Sequence, residues 1–408
     1  MTGTLEHDPR VRDEEQGFGG VVRSSLRRLR TGDLGQLPVV LGIIAIWTIF
    51  GLTTPGHSFV NSGNLVNLSL QMAAIGTIAV GVVFVLLLGE IDLTVGVVSG
   101  LSAAVMAVAN TKAGLPGPAA VGLGLLVGVA IGLIHGYWTT RFKIPSFVVT
   151  LAGLIGWQGA LLFVLGDTGT INMTDDFVVG LAGTFFKGAV GYGIGALFVV
   201  YLAVAGIAGR RRRLKAGLAA EPAAFVWTRV IIIGLLTLAA IFYLDRERGL
   251  PLSLVFLVGL VVVMDYVVSR TRFGRMIYAV GGNAEAALRS GIPVDRVRMV
   301  VFVLASLFSA WGGMLAASRL LAVNQSSGSG VELLNAIAAA VIGGASLFGG
   351  RGTVWAALLG ILVIQSISNG MDLLAFPSPV KLMVTGAVLL AAVTIDALAR
   401  RGRASTGR

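Results

Sequence analysis

Residues 270–298 read RTRFGRMIYAVGGNAEAALRSGIPVDRVR. This basic, polar island lies between two long apolar blocks, and nothing else so long and so rich in charge interrupts the hydrophobic part of the chain. Its middle predicts a short helix from Ala284 to Arg289, with Gly281 and Gly282 before it and Gly291, Ile292 and Pro293 after it. Glycine and proline at such positions punctuate helices. A surface helix held between two turns, in a chain otherwise suited to lipid, is placed to be touched by a partner.

Composition supplies the surroundings. Of the 408 residues 55% are hydrophobic and 12% charged, and the mean hydropathy is +0.88. A soluble domain carries roughly a quarter charged residues, so this chain is expected in a bilayer. The formal charge of +11 would suggest nucleic acid in a soluble protein, but here its placement along the chain decides. No cysteine is present, which excludes disulfides and thiolate metal sites. The three histidines (His7, His57, His135) are too scattered for a histidine metal cluster. No metal or cofactor is expected.

A transmembrane helix needs about 20 largely apolar residues. Twelve stretches qualify or nearly so: 37–54, 64–88, 92–110, 117–140, 146–166, 190–208, 225–244, 251–269, 297–321, 333–350, 352–374 and 378–398. The expected fold is an all-α polytopic membrane protein: a tail over 1–36, a membrane domain over 37–398 and a second tail over 399–408. Lys and Arg favour cytoplasmic loops. An inside N-terminus places 25 of the 31 on the inner side, among them Arg10, Arg12, Arg23, Arg27, Arg28 and Arg30 of the tail, Arg210 to Arg213, and the island itself. Lys112, Lys187, Arg246, Arg248, Arg319 and Lys381 remain for the outer side and the spans. Both termini and the 270–298 loop are therefore expected in the cytoplasm, and the charge excess is topology rather than a nucleic-acid footprint. The first 36 residues hold no apolar core early enough for a signal peptide. On the outer side, 167–189 is long enough for a short helix lying on the membrane face. Asp167, Asp175, Asp176, Asp245, Glu247, Glu332 and Asp372 make that side mildly acidic. Solvated loops account for this, and docking of a basic rim on an extracytoplasmic partner is the sharper reading.

Three groups of residues invite a chemical reading. Glu90 and Asp92, in LLLGEIDLTVGVVSGL, fit a proton or cation path if they are buried in lipid, because a membrane carboxylate costs a few kcal/mol. They fit a cytoplasmic turn, with Asp92 capping the next helix, if Gly89 ends the span; Gly89 and the apolar restart after Asp92 favour the turn. Residues 341–353, VIGGASLFGGRGT, lack the Gly-x-x-x-x-Gly-Lys-Ser/Thr spacing of a phosphate loop and read as a break between two helices. Asn67, Gln71, His135, Gln158, Asn335, Gln365 and Asn369 are polar positions within spans. The amides suit a pathway for a neutral, hydroxyl-rich solute and equally suit helix-to-helix hydrogen bonds. Asp265 is expected near Arg270 or Arg272, in a structural role. No HExxH, aspartate-rich metal motif or serine–histidine pairing occurs, so an enzyme is not expected.

GEIDLTVGVVSGL, FKIPSFVVTLAG, GRMIYAVGGNAEAALRSGIPVDRVR, NAIAAAVIGGASLFGGRGTVWAALLG and SNGMDLL follow one another in this order. Together they resemble the permease subunits of bacterial ABC importers for monosaccharides, the ribose and xylose group, over about residues 38–398. The resemblance implies an inner-membrane subunit that pairs with a second permease copy. A cytoplasmic ABC ATPase drives it, and an extracytoplasmic sugar-binding protein supplies it. It also implies that Gly281, Gly282, Asn283, Glu285, Ala286, Gly291 and Ile292 form the segment that docks on the ATPase. One departure from the ribose type is a basic loop (Arg210 to Arg213, Lys215) with an additional apolar block near 225–244. This enlarged middle, and more weakly ERGLPL at 247–252, is similar to xylose-type permeases, so xylose is the expected sugar. An importer of another solute such as a nucleoside or branched-chain amino acid, an ion-coupled carrier and a membrane enzyme are the rival readings.

Overall fold

A computed structural model describes residues 37–405 apart from 219 and 221, with the side chains at 168, 392 and 395–405 left aside. The tail arginines from Arg10 to Arg30 lie outside the described residues. The helices are α1 (Leu37–Thr53), α2 (Ser62–Leu87), α3 (Val95–Thr111), α4 (Gly117–Arg141), α5 (Ser146–Leu165), α6 (Asp176–Gly183), α7 (Gly188–Lys215) and α8 (Ala223–Asp245). They continue as α9 (Leu252–Arg270), α10 (Arg272–Gly282), α11 (Ala284–Arg289), α12 (Val294–Leu320), α13 (Gly330–Ile342), α14 (Trp355–Leu373) and α15 (Ser378–Ser405). Among the described residues eight helices are long and apolar enough to cross a membrane, and four further apolar helices are shorter. The protein is thus an all-α polytopic membrane protein, and these helices fall in the order of the twelve apolar stretches.

The basic loop expected over Arg210–Lys215 is helical: α7 runs on from the expected span of 190–208 to Lys215. Two further boundaries differ from the sequence reading. The expected span over 333–350 ends at Ile342, and residues 343–354 are irregular. Gly344, Gly349, Gly350 and Gly352 there all adopt positive φ, the left-handed region that favours glycine. At 13 residues, α13 is about 20 Å long and cannot cross the bilayer alone. At the other end of the chain α15 continues past 398 to Ser405, so the C-terminal boundary is not a helix end.

The chain forms two compact units. One holds Phe186–Leu250 and 402–405 among its described residues, and the other holds 37–185 with Pro251–Arg401. The first centres on the α7–α8 hairpin. In the second, α12 is the hub, packed against α4, α2 and α3. Its interior has two apolar clusters. Phe84, Leu87, Leu257, Ile277, Val301 and Ile361 belong to one; Met106, Leu161, Leu165, Met314, Leu315 and Val323 belong to the other. A two-stranded antiparallel ribbon pairs β1 (Thr170–Asn172) with β2 (Ala322–Asn324), Ile171 opposite Val323.

The short helix expected between 167 and 189 is α6, and one of its faces packs on the bundle. Its Val178, Leu181 and Ala182 are buried, and the Ser318 hydroxyl of α12 clamps it, accepting from the Ala182 N–H at 2.9 Å and donating to the Val179 carbonyl at 2.9 Å. Glu332 is likewise no solvated loop residue: it is half-buried in the first turn of α13, in hydrogen-bond contact with Gly328 and Ser99.

Candidate functional site

The island of residues 270–298 folds as two short helices joined at one residue. Thr271 caps α10, its hydroxyl accepting from the Gly274 N–H at 3.2 Å. Asn283 ends α10 and caps α11, its side-chain oxygen accepting from the Ala286 N–H at 2.9 Å. That bond satisfies a donor the helix start would otherwise leave free. α11 closes at Gly291 (φ 80), where the Gly291 N–H bonds the Leu288 carbonyl at 3.0 Å and the Ile292 N–H bonds the Ala287 carbonyl at 3.1 Å. These two bonds are the Schellman pattern, which assigns Gly291 and Ile292 the termination of the helix.

The island divides by exposure, and of the seven predicted residues Gly281 and Ile292 are half-buried while the other five are exposed. Gly274, Ile277, Val280, Ala287, Val294 and Val297 form the buried stripe. Gly282, Asn283, Glu285, Ala286, Leu288, Arg289 and Gly291 are exposed. Glu285 and Arg289 pair across one turn at 2.6 Å, an exposed pair that contributes little to stability. Leu288 is 63% exposed at the centre of this face. The sequence reading does not single it out; an apolar side chain outside the spacing of the buried stripe is the available signal.

Beneath this face three backbone segments meet. A Cβ on Gly281 would strike the Leu87 carbonyl oxygen, and that oxygen accepts from the Gly350 N–H at 2.9 Å. The Tyr278 hydroxyl donates to the Gly352 carbonyl at 2.7 Å. Burial, and then the Asp265 carboxylate, push the Tyr278 phenol above its ordinary value, so it remains a donor. Asp265 thus acts on Tyr278. Arg298 Nε lies 2.9 Å from Glu90 Oε1, an ion pair by distance whose N–H is not aimed for a hydrogen bond. The island is therefore fastened to the turn after α2 and to the glycine-rich break before α14.

The Glu90–Asp92 segment is a turn, with one shift from the expected cap. Helix α3 starts at Val95, and Asp92 Oδ1 accepts from the Thr94 N–H at 2.8 Å and the Thr94 hydroxyl at 2.6 Å. Asp92 thus holds the residue that precedes the helix. It is 4% exposed, and its Oδ2 has no hydrogen-bond partner. Beside it Trp157 donates to His135 Nε2 at 2.9 Å, so the imidazole proton sits on Nδ1, 3.5 Å from the Thr94 hydroxyl.

Of the six amides proposed for a pathway, Asn369 and Gln365 of α14 bond across a seam to α2, where Gln71 takes part through its backbone carbonyl, while Asn67 of α2 bonds α12 instead. Asn369 exchanges hydrogen bonds with Asn64 at 2.8 and 3.0 Å, Gln365 donates to the Gln71 carbonyl at 3.4 Å, and Asn67 accepts from Arg319 at 3.2 Å. Trp47 donates to Ser366 on the same seam at 3.0 Å. The other two lie apart: Gln158 on α5 donates to the Gln325 carbonyl at 3.3 Å, and Asn335 is buried in α13. Asn64 and Arg319 were missed. Arg319 had been assigned only by charge to the outer side or a span, and its partner lies 252 residues away in sequence.

Residues 64–393 match the family described as branched-chain amino acid transport system / permease component. Over 373 residues the chain is 37% identical to the xylose transport system permease protein of Escherichia coli K12, covering 91% of this chain and 94% of that one. The xylose transport system permease of Haemophilus influenzae is 33% identical, with 90% and 98% covered. The ribose import permease of Bacillus subtilis is 32% identical, with 90% and 94% covered. No solved structure matches.

Proposed function

The chain belongs to the branched-chain amino acid transport system / permease component family, and from that premise we propose that it carries D-xylose across the bacterial inner membrane. It is the permease of an ABC importer and a transport subunit rather than an enzyme. The observation that carries the sugar is the 37% identity to a xylose permease over nearly the full length of both chains, against 32% to the ribose permease. The α7–α8 hairpin, a compact unit of its own, accords with the enlarged middle of that type.

In this reading the exposed face of α11 (Asn283, Glu285, Ala286, Leu288) is gripped by a separate ATPase on the cytoplasmic side. Closure of the ATPase displaces α11, and the Gly281–Leu87–Gly350 contact passes the displacement to the end of α2 and to the α13–α14 break. The amide seam between α2 and α14 then exchanges hydrogen bonds with sugar hydroxyls. A second permease copy completes the passage, and a binding protein delivers the sugar. A broad apolar depression along α4, lined by Leu115, Ala119, Leu123, Leu126 and Val129, offers such a solute no hydrogen bonds.

The test is ATP-dependent uptake of labelled xylose, ribose, arabinose, a nucleoside and leucine by the complex reconstituted with its ATPase and binding protein. Xylose is expected to dominate. Dominance of another solute overturns the sugar, and uptake on an ion gradient without the ATPase overturns the mechanism.

A further inference from the structure

Helix α7 has 28 residues. Residues 188–209 are apolar or small and span about 33 Å, close to the hydrocarbon thickness of about 30 Å. Residues 210–215 then extend the helix by about 9 Å, and five of these six are Arg or Lys. Over residues 188–244 Glu221 is the one acidic residue of the sequence, against Arg210, Arg211, Arg212, Arg213, Lys215 and Arg229.

The arrangement of these charges discriminates between partners. Successive helical residues turn by about 100°, so Arg210 to Arg213 are spread over about 300° of azimuth. They form a collar rather than a face. A protein partner reads one face of a helix, whereas a layer of headgroups surrounds it. Arg211, Arg212, Arg213 and Lys215 are exposed, as is Arg229 in the second turn of α8. Both helices carry apolar side chains outward below the collar: Val200 and Val204 on α7, Ile231, Ile232 and Leu235 on α8 are all exposed. Trp227 is half exposed near Arg229, the aromatic type enriched at membrane interfaces.

We propose that the α7–α8 turn is a binding site for anionic phospholipid, the collar of Arg210 to Arg213 with Lys215 and Arg229 taking the phosphate groups of the cytoplasmic leaflet. The guanidinium fork suits phosphate oxygens, and each basic residue near an anionic surface gains about 1 kcal/mol. The site anchors a hairpin whose helices bury only 11% and 17% of their apolar windows.

Because the chain has no cysteine, a fluorophore on Leu218→Cys reports from this turn alone. The full chain is placed in phosphatidylcholine vesicles containing a minority of shallow spin-labelled phosphatidylglycerol or spin-labelled phosphatidylcholine. Phosphatidylglycerol is expected to quench the probe about fivefold more strongly at equal mole fraction, the gain of a single basic residue. Parity is expected in Arg211→Gln/Arg212→Gln/Arg213→Gln/Lys215→Gln. If that variant does not insert, Arg212→Gln alone decides: a clear fall in the preference supports the site, and an unchanged preference overturns it. Parity in the unsubstituted chain overturns the proposal. So does loss of ATPase co-purification in the quadruple variant with its lipid preference intact, since the collar would then serve a protein.

Discussion

Helices α2 and α7 are close in length and apolarity, yet α2 buries 83% of its apolar window and α7 only 11%. Hydropathy says that a helix suits a bilayer and leaves open what its faces touch. The close backbone approaches separate the two. In α2, Gly81 lies against the Ala305 backbone of α12. In α4, Gly124, Gly128, Gly132 and Gly136 recur every fourth residue and all meet α12, at Met314, Ser306, Phe302 with Val303, and Met299. α7 has glycines too, but Gly195 and Gly206 meet side chains only, of Ile241 with Thr237 and of Val226, and the one backbone that Gly191 approaches is that of Phe186, just before the helix. Within lipid no water drives helices together, so backbone approach and dispersion hold the bundle. Position against a neighbouring backbone matters more than glycine content.

The strongest attempt to break this comparison is Gly132→Leu beside Gly193→Leu. A Cβ at 132 would stand 2.5 Å from the Val303 Cα, whereas at 193 it meets nothing within 4 Å. Gly132→Leu should cost beyond about 3 kcal/mol and abolish the monodisperse peak after detergent extraction, while Gly193→Leu stays within about 0.5 kcal/mol. Similar melting of the two would end the distinction. The same contrast recurs within the island at Gly281, where a Cβ would strike the Leu87 carbonyl, and Gly282, where a Cβ would meet open space. There the informative variants are Glu285→Ala and Leu288→Ala, which disturb no buried group. Each should lower sugar-stimulated ATP hydrolysis by the complex about tenfold with the melting temperature unchanged. Full stimulation in both would remove α11 from the ATPase contact.

Most of the helices were legible because a membrane span is a matter of length and apolarity, and both can be counted. The α11 helix was legible from its two glycine brackets, and its bounds, Ala284 to Arg289, are those expected. Three features were not. The end of α13 at Ile342 leads into a glycine-rich break in which Gly349 and Gly350 pass close to the backbones of Gly89, Gly281 and Gly282, which are distant in sequence. The amide seam joins Asn64 to Asn369 across 305 residues, and spacing along one helix cannot choose its partner. The α4 ladder was present in the sequence at intervals of four but reads as packing only once α12 is known to face it.

A smaller effect sharpens the comparison between buried and lipid-facing polar groups. Trp157→Phe removes the donor to His135 Nε2 inside the bundle and should cost about 1–3 kcal/mol, the penalty of an orphaned buried acceptor. Trp227→Phe on the exposed flank of α8 should change thermal unfolding by less than about 0.5 kcal/mol. Equal shifts would mean that the His135 contact carries no more than surface packing.

The smallest effect is expected at α6, which belongs to neither class. Asp175 caps it, accepting from the Phe177 and Val178 N–H groups at 3.0 Å each, and lies at the surface. The Val178 N–H is the first cause of a carboxyl pKa below its ordinary value. Since the folded pKa is depressed, the stabilisation is present above the ordinary carboxylate value and is lost as pH falls through the depressed one. Asp175→Ala should cost about 1 kcal/mol at neutral pH, and its melting curve should converge with the unsubstituted curve in acid. The loss stays small because Val178, Leu181 and the Ser318 clamp hold α6 independently of its cap. Curves that remained parallel into acid would show that α6 is fixed by packing alone, as the α4–α12 seam is.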